Sequence, residues 1–243
     1  MNTSIAGSNT EFETAAAGRE TVRMGLLVCG ILASLIRLGI DIFASLSYEG
    51  YRYPLDPISG LSAVGAPTRL FVVPLFNLYL VLKIAFAVGV WISAGQKRAV
   101  RITAALLFAS GLTDLAACFF PWNPAENLGT FGNMMHGILA GGLTVILILL
   151  TILFGAGADG RRFRLFSYAL LVIMIVMGAL PLLGGFGLPT DEIPEWFGAG
   201  ERINGYGYML WMLVLAIVLL RIQSKSARRE DKGAYGLDKA HGR

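Results

Sequence analysis

The chain has 243 residues, 55% of them hydrophobic and 15% charged, with a mean hydropathy of +0.64. Soluble domains are about 45–50% apolar and about 25% charged, and here the apolar excess gathers into runs longer than about 18 residues, the mark of a membrane span. A soluble globular enzyme, a disulfide scaffold, a coiled coil and a disordered chain are thereby excluded. Lys and Arg number 20 against 16 Asp and Glu, and the tail from Arg221 to Arg243, with seven basic and three acidic residues, holds the whole excess of +4. A short basic tail after a hydrophobic segment reads as a cytoplasmic stop signal in contact with a lipid surface. Membrane lipids, and no nucleic acid, are the expected partners.

Residues 1–23 are polar, lack an apolar run and read as a disordered tail. A cleaved signal peptide is not expected, because the segment that starts near Met24 is too long and contains Arg37 and Asp41. Six spans follow, at about 24–46, 70–94, 99–120, 134–155, 164–188 and 203–221, and residues 223–243 form a basic tail. At about 1.5 Å per residue, 19 to 25 residues reach about 28–37 Å, enough to cross a bilayer core of about 30 Å. Helices are preferred to barrel strands because the runs do not alternate. The expected fold class is all-α, a six-helix transmembrane bundle over 24–222.

The N-tail, 95–101, 156–164 and the C-tail together hold 15 Lys and Arg, whereas 47–69, 121–133 and 187–202 hold 3. The positive-inside rule therefore predicts cytoplasmic N- and C-termini and three longer outer loops in a multipass protein of the cell membrane. In the first outer loop, Asp56 and Pro57 are spaced as N-cap and first-turn residue of a short interfacial helix, with Ile58, Leu61, Ser62 and Gly65 on one face. Tyr48, Tyr51, Tyr53, Trp122 and Trp196 fall at the outer boundary, where aromatic belts form. No internal repeat is evident.

Five ionisable residues lie inside the spans: Arg37, Asp41, Lys83, Asp114 and His136. A charge near the bilayer centre costs about 2.5–3.5 kcal/mol on insertion scales, so each calls for a partner or a function. The predicted threading sets all but Lys83 in the outer half, below the first loop, Glu201, Arg202 and Asn204. Arg37 and Asp41, at i and i+4, are expected to pair on one helix face and to hold the bundle together. Asp114 and His136 flank one short outer loop, where a carboxylate can orient an imidazole as a general base or proton relay; a satisfied interfacial histidine is the plainer reading. Lys83, near the middle of span two, is expected to snorkel or to pair with Asp114. A retinal Schiff base would call for a lysine on a later helix with a counter-ion.

The chain has two histidines, and His241 is in the tail, so neither a bis-histidine haem nor a three-histidine zinc site can be built within one chain. A mixed set of His136, Asp41 and Asp114 is the metal arrangement left open, but no metal and no cofactor is expected. Cys29 and Cys118 sit near opposite faces, out of disulfide reach. No phosphate loop, nucleophile elbow or HExxH occurs. Gly137 and Gly141 form a GxxxG, read first as tight packing within the chain and second as a helix–helix partner site. Pro181 with Gly184 and Gly185 is expected to break the outer end of span five, and Pro74 reads as a first-turn proline. Broken backbone and outer polar groups together point to a cavity open to the outside.

The stretch Ile58-Ser59-Gly60-Leu61-Ser62-Ala63-Val64-Gly65-Ala66-Pro67-Thr68-Arg69, the Phe120-Pro121 and Met135-His136 pairs, Arg162-Phe163-Arg164-Leu165-Phe166-Ser167 and Glu201-Arg202-Ile203-Asn204 occur in order. Over most of residues 25–222 this set resembles the bacterial multipass family known as domain of unknown function 998. The resemblance implies a six-helix inner-membrane protein, with no established reaction, cofactor or substrate. Ser59, Ser62 and His136 match residues that many members carry.

Three functions are weighed. The first is binding or transport of a lipid or small amphiphile in an outward-facing polar cavity. Arg37, Asp41, Asp114, His136, Arg202 and Asn204 would line it, with Arg37 and Arg202 toward an anionic group and the first-loop tyrosines at the rim. The second is a structural partner subunit of a membrane complex, in which the polar residues specify packing. The third is an intramembrane hydrolase with His136 and Asp114 as acid and base and Ser59 or Ser62 as nucleophile. Enzymatic activity is the less expected outcome.

Overall fold

An apolar run in hydrocarbon has no water for its amides and closes its own hydrogen bonds as a helix. The computed structural model describes the backbone of residues 3–185 and 197–241 and the side chains of 18–178 and 197–225. Its helices are α1 (Thr3–Ser47), α2 (Arg69–Ser93), α3 (Arg98–Ala117), α4 (Phe131–Gly155), α5 (Arg161–Gly185) and α6 (Phe197–His241), and there is no strand among the described residues. Five stretches are long and apolar enough to cross a membrane: Gly18–Ser47, Arg69–Ser93, Arg98–Ala117, Phe131–Gly155 and Phe197–Lys225. Helix α5 opens on Arg161, Arg162 and Arg164, so its apolar part begins at Leu165 and its side chains are described only to Gly178.

Each helix packs on its neighbour in sequence, and α6 returns to α1, so the six close a ring. Helix α6 also touches α2 and α4. Its Trp211, Met212, Leu215 and Ala216 are completely buried among Leu27, Phe86, Val90, Leu107 and Ile152. Apolar side chains cover the outside of the bundle as well as its core. Leu70 is 89%, Leu46 83% and Phe119 77% exposed, whereas Asp41, Lys83, Thr103 and Ser110 are each 0% exposed. That distribution suits a solvent as apolar as leucine. The chain is a multipass membrane protein.

The short links 94–97 and 156–160 set α2 against α3 and α4 against α5. The Lys97 ammonium ties the two links together, donating to the Ala158 carbonyl at 3.0 Å. In the first loop the expected short helix is present as a 3-10 turn, Ile58–Ser62. Three residues per turn stack Ile58 on Leu61, and both are buried against Ile40, Ala44 and Val72. Ser62 and Gly65 fall off that face, and Gly65 (φ 84°) makes a turn instead. Asp56 does not cap the turn: Pro57 precedes it, and the Asp56 carboxylate bends back to the Arg52 amide at 2.7 Å.

Other expectations change. The stretch read as a disordered tail is helical from Thr3, and α6 runs through the basic tail to His241. The first stretch carries Ala, Glu and Arg and the second Ala, Lys and Arg, all of which favour helix. Helix α5 continues through Pro181 to Gly185, so no break precedes the two glycines; Trp196 and residues 186–196 of the third loop lie outside the described residues. Pro74 lies inside α2, beyond its first turn. Helix α4 is not uniform, because Gly137–Leu143 is wound as a π-helix. Gly137 and Gly141 sit in that segment, exposed, with nothing within 4 Å of the place a Cβ would take among the described residues. The tight packing within the chain that was expected of this pair is absent there.

At Gly155 the core requires glycine. A Cβ on Gly155 would collide with the Trp211 indole, whose Nε1 donates to Ser167 Oγ at 3.0 Å and so cannot turn away freely. Gly155→Val should therefore overpack the contact between α4 and α6, costing about 1–3 kcal/mol and lowering the thermal unfolding midpoint of the purified protein, while exposed Gly141→Ala leaves it within experimental scatter.

Candidate functional site: two buried charge centres

Helix α1 places Asp41 two turns before its end, and α6 places Arg202 in its first turns, so the two meet beneath the first loop. Arg202 is 4% exposed and Asp41 0%. The Arg202 Nε donates to Asp41 Oδ2 at 3.1 Å and Nη2 to Oδ1 at 3.2 Å, a two-pronged pair. Its Nη2 also donates to the Tyr51 hydroxyl at 2.6 Å, and Nη1 to the carbonyls of Asp56 at 2.9 Å and Gly198 at 3.3 Å. All five guanidinium N–H donors are thus used inside the chain. Tyr53 stacks over the guanidinium, 4.2 Å from ring centroid to Cζ. The Tyr206 hydroxyl donates to Asp41 and receives the Tyr53 hydroxyl.

The loop is pulled to this pair by its backbone. The Gly198 amide donates to the Leu55 carbonyl at 3.1 Å, and a Cβ at Gly198 would strike the carbonyls of Leu55 and Asp56. Next along α6, the Glu201 carboxylate accepts the Ile58 amide at 2.7 Å. Burial pushes the Tyr51 phenol up to about 12, against the opposing pull of the Arg202 guanidinium. The phenol therefore stays neutral, giving its proton to the Asp56 and Pro57 carbonyls while it accepts from Arg202. Burial also raises the Asp56 carboxyl, but hydrogen bonds and charge from Arg52 outweigh it and hold the group below its ordinary value.

The second centre lies deeper, between α2, α3 and α4. Lys83, 0% exposed, donates through Nζ to Asp114 Oδ2 at 2.8 Å, the expected pairing. Asp114 Oδ1 accepts the Thr144 hydroxyl at 2.8 Å. The rings of Tyr79 and Tyr208 face the ammonium at 5.9 and 5.3 Å.

Two expected pairs are not formed. Arg37 does not bond Asp41: its guanidinium lies over the Phe76 ring, 5.5 Å from the centroid, because the rigid Arg202 fork takes both Asp41 oxygens. Asp114 does not orient His136 either. The His136 Nδ1 meets the Phe120 carbonyl at 2.9 Å, and Asp114 is occupied by Lys83 and Thr144. Ser62 Oγ donates to the Ser59 carbonyl at 3.3 Å, and no hydrogen bond joins either serine to His136 or Asp114 among the described residues. The hydrolase arrangement is thus not assembled. Asp41, Asp114 and His136 do not gather as a metal set among the described residues. Asn204 Oδ1 is buried without a partner among the described residues.

Tyr206, Tyr208 and Thr144 were missed by sequence reasoning. A signal existed for the tyrosines, since a phenol deep in a span needs a hydrogen-bond partner; for Thr144 there was none, because threonine in a helix ordinarily satisfies itself on its own backbone.

A family model described as "Protein of unknown function (DUF998)" matches residues 31–218, which contain both centres. No curated protein and no solved structure matches the chain.

Removing one partner of the upper pair, as in Asp41→Asn or Arg202→Met, should cost about 3–5 kcal/mol because a buried charge is left unanswered. The double replacement Asp41→Leu with Arg202→Met should recover a large part of that loss in thermal unfolding. Asp56 titrates lower folded than unfolded, so its stabilisation is complete above the ordinary carboxylate range and disappears as pH falls through the lowered value. The gap in thermal midpoint between wild type and Asp56→Asn should close over that acidic interval and stay constant at neutral pH.

Proposed function

The chain belongs to the family of proteins of unknown function DUF998, and from that premise we propose a six-span protein with both termini in the cytoplasm that binds an anionic lipid or small amphiphile at Arg37. One observation carries this reading. Of Arg37, Lys83 and Arg202, the latter two each hold a carboxylate, whereas Arg37 has none among the described residues. Its guanidinium is half-buried and rests on an aromatic face, which desolvates it on one side and leaves its donors for a phosphate or carboxylate. Glu201 acts on it electrostatically, but that carboxylate already caps Ile58. The first loop, drawn down by Arg202, stands over this half of the bundle.

A structural subunit is the second reading, and one observation favours it: both ion pairs are closed on themselves and hold helices together. The readings part at Arg37. In mild detergent, mass spectrometry should find anionic lipid retained by wild type, largely kept by Arg37→Lys and reduced about tenfold or more in Arg37→Ala, the loss of one charged hydrogen bond. Equal retention in Arg37→Ala with an unchanged thermal midpoint would leave only the structural role.

The threading is checked separately in a Cys29→Ser, Cys118→Ser background. Glu126→Cys should react with an impermeant maleimide on intact cells, and Lys225→Cys only after permeabilisation.

A further inference from the structure

Among the threonines of α3 and α4, one departs from the pattern of the others. Thr103, Thr113 and Thr151 donate to the carbonyl four residues back, at 2.9, 3.0 and 2.7 Å. Thr144 donates instead across to α3, to Asp114 Oδ1. The cause is the π segment immediately before it. The Thr144 amide bonds to Leu139, five residues back, so the Ala140 carbonyl is out of register for its hydroxyl. One turn of wide helix thus converts a self-satisfied threonine into a ligand of the buried carboxylate.

We propose that Asp114 is a proton-binding site in the middle of the bundle, and that uptake of a proton there is coupled to the winding of α4. As it stands, the carboxylate accepts from Lys83 and Thr144. Within the pair it is the group a proton can reach, since the Asp114 side chain is 11% exposed and that of Lys83 0%. The proton binds the carboxylate and nothing leaves. Lys83 keeps its three protons and loses its anionic acceptor.

A replacement acceptor is in place. Among the described residues no hydrogen bond satisfies the buried Tyr208 hydroxyl, on a residue 1% exposed that faces both Lys83 and Ser110. In the protonated state Lys83 turns to the Tyr208 oxygen, the Tyr208 proton goes to Ser110 Oγ, and the ammonium retains both ring faces. Thr144, released from a neutral acid, takes the Ala140 carbonyl as α4 closes to ordinary winding. Lys83, Thr144 and Tyr208 each have an acceptor in the protonated state.

The π segment is suited to that change. None of its residues is buried, and Gly137, Gly141 and Gly142 give it no side chains to lock one register. Each residue of register turns one part of the helix against the other by about 100°. The groups facing Asp114 are Lys83 and Tyr79 from α2, Tyr208 from α6, Thr144 from α4 and Cys118 from α3. His136 is turned to the Phe120 carbonyl. Asp114 needs no lipid at Arg37, so the failure of either site leaves the other standing.

The test uses the full chain in lipid nanodiscs. Infrared difference spectra between alkaline and acid pH should show the carbonyl band of a protonated carboxylic acid, lost in Asp114→Asn. Asp114→Glu keeps the acid and moves the band, and it serves where Asp114→Asn does not fold. Nitroxides on Leu70→Cys and Met134→Cys, in the Cys29→Ser, Cys118→Ser background, should change their separation with the same midpoint as the band. Thr144→Val should keep the band and lose the distance change. The proposal is overturned by the absence of an Asp114-dependent band over the pH range in which the helical circular dichroism and thermal midpoint hold, or by a band that titrates while the label distance stays fixed.

Discussion

A charge surrounded by hydrocarbon is stabilised only by what the protein itself presents to it, and this bundle is arranged around that constraint. Lys83 and Asp114 come from α2 and α3, Asp41 and Arg202 from α1 and α6. Each pair therefore fastens helices that are adjacent in the ring, and the second closes the ring where the chain's first and last helices meet. Apolar packing alone would discriminate weakly between neighbours, since lipid tails satisfy a leucine as well as another helix does. The paired charges do discriminate, because a wrong neighbour leaves a carboxylate or an ammonium alone.

The upper pair also fixes the first loop. Arg202 donates to the Asp56 carbonyl and the Tyr51 hydroxyl, and Gly198 and Glu201 on the same helix bond Leu55 and Ile58. A loop rich in glycine and proline would otherwise be free to move over the bundle. Here its backbone is attached to the start of α6 at several points, and the 3-10 turn buries Ile58 and Leu61 against α1 and α2. The structural role of Arg202 follows from its geometry: a planar fork with five donors can satisfy a carboxylate, a phenol and two carbonyls at once, which an ammonium cannot.

The lower pair differs in its reserves. Around Arg202 each N–H is committed, whereas around Lys83 a phenol remains without a partner among the described residues and a threonine is borrowed from a helix wound out of its usual register. Buried polar groups with more than one way to be satisfied are those that can change state without leaving an orphan. Arg37 stands between these extremes, resting on Phe76 with no carboxylate of its own among the described residues.

Membrane residence, the helical class and the positions of the long apolar runs were legible in the amino-acid sequence, because they depend on composition and on run length, which are local. The presence of Arg37, Asp41, Lys83 and Asp114 inside those runs was legible for the same reason, as was the need of each for a partner. Which partner each takes was decided by the tertiary structure. Spacing along α1 favoured Arg37 for Asp41, but the ring brings Arg202 from the far end of the chain with a better fork; proximity in sequence favoured His136 for Asp114, but the π turn of α4 delivers Thr144 while His136 finds a carbonyl. Helix rotation and register determine such choices, and both depend on how all six helices pack together.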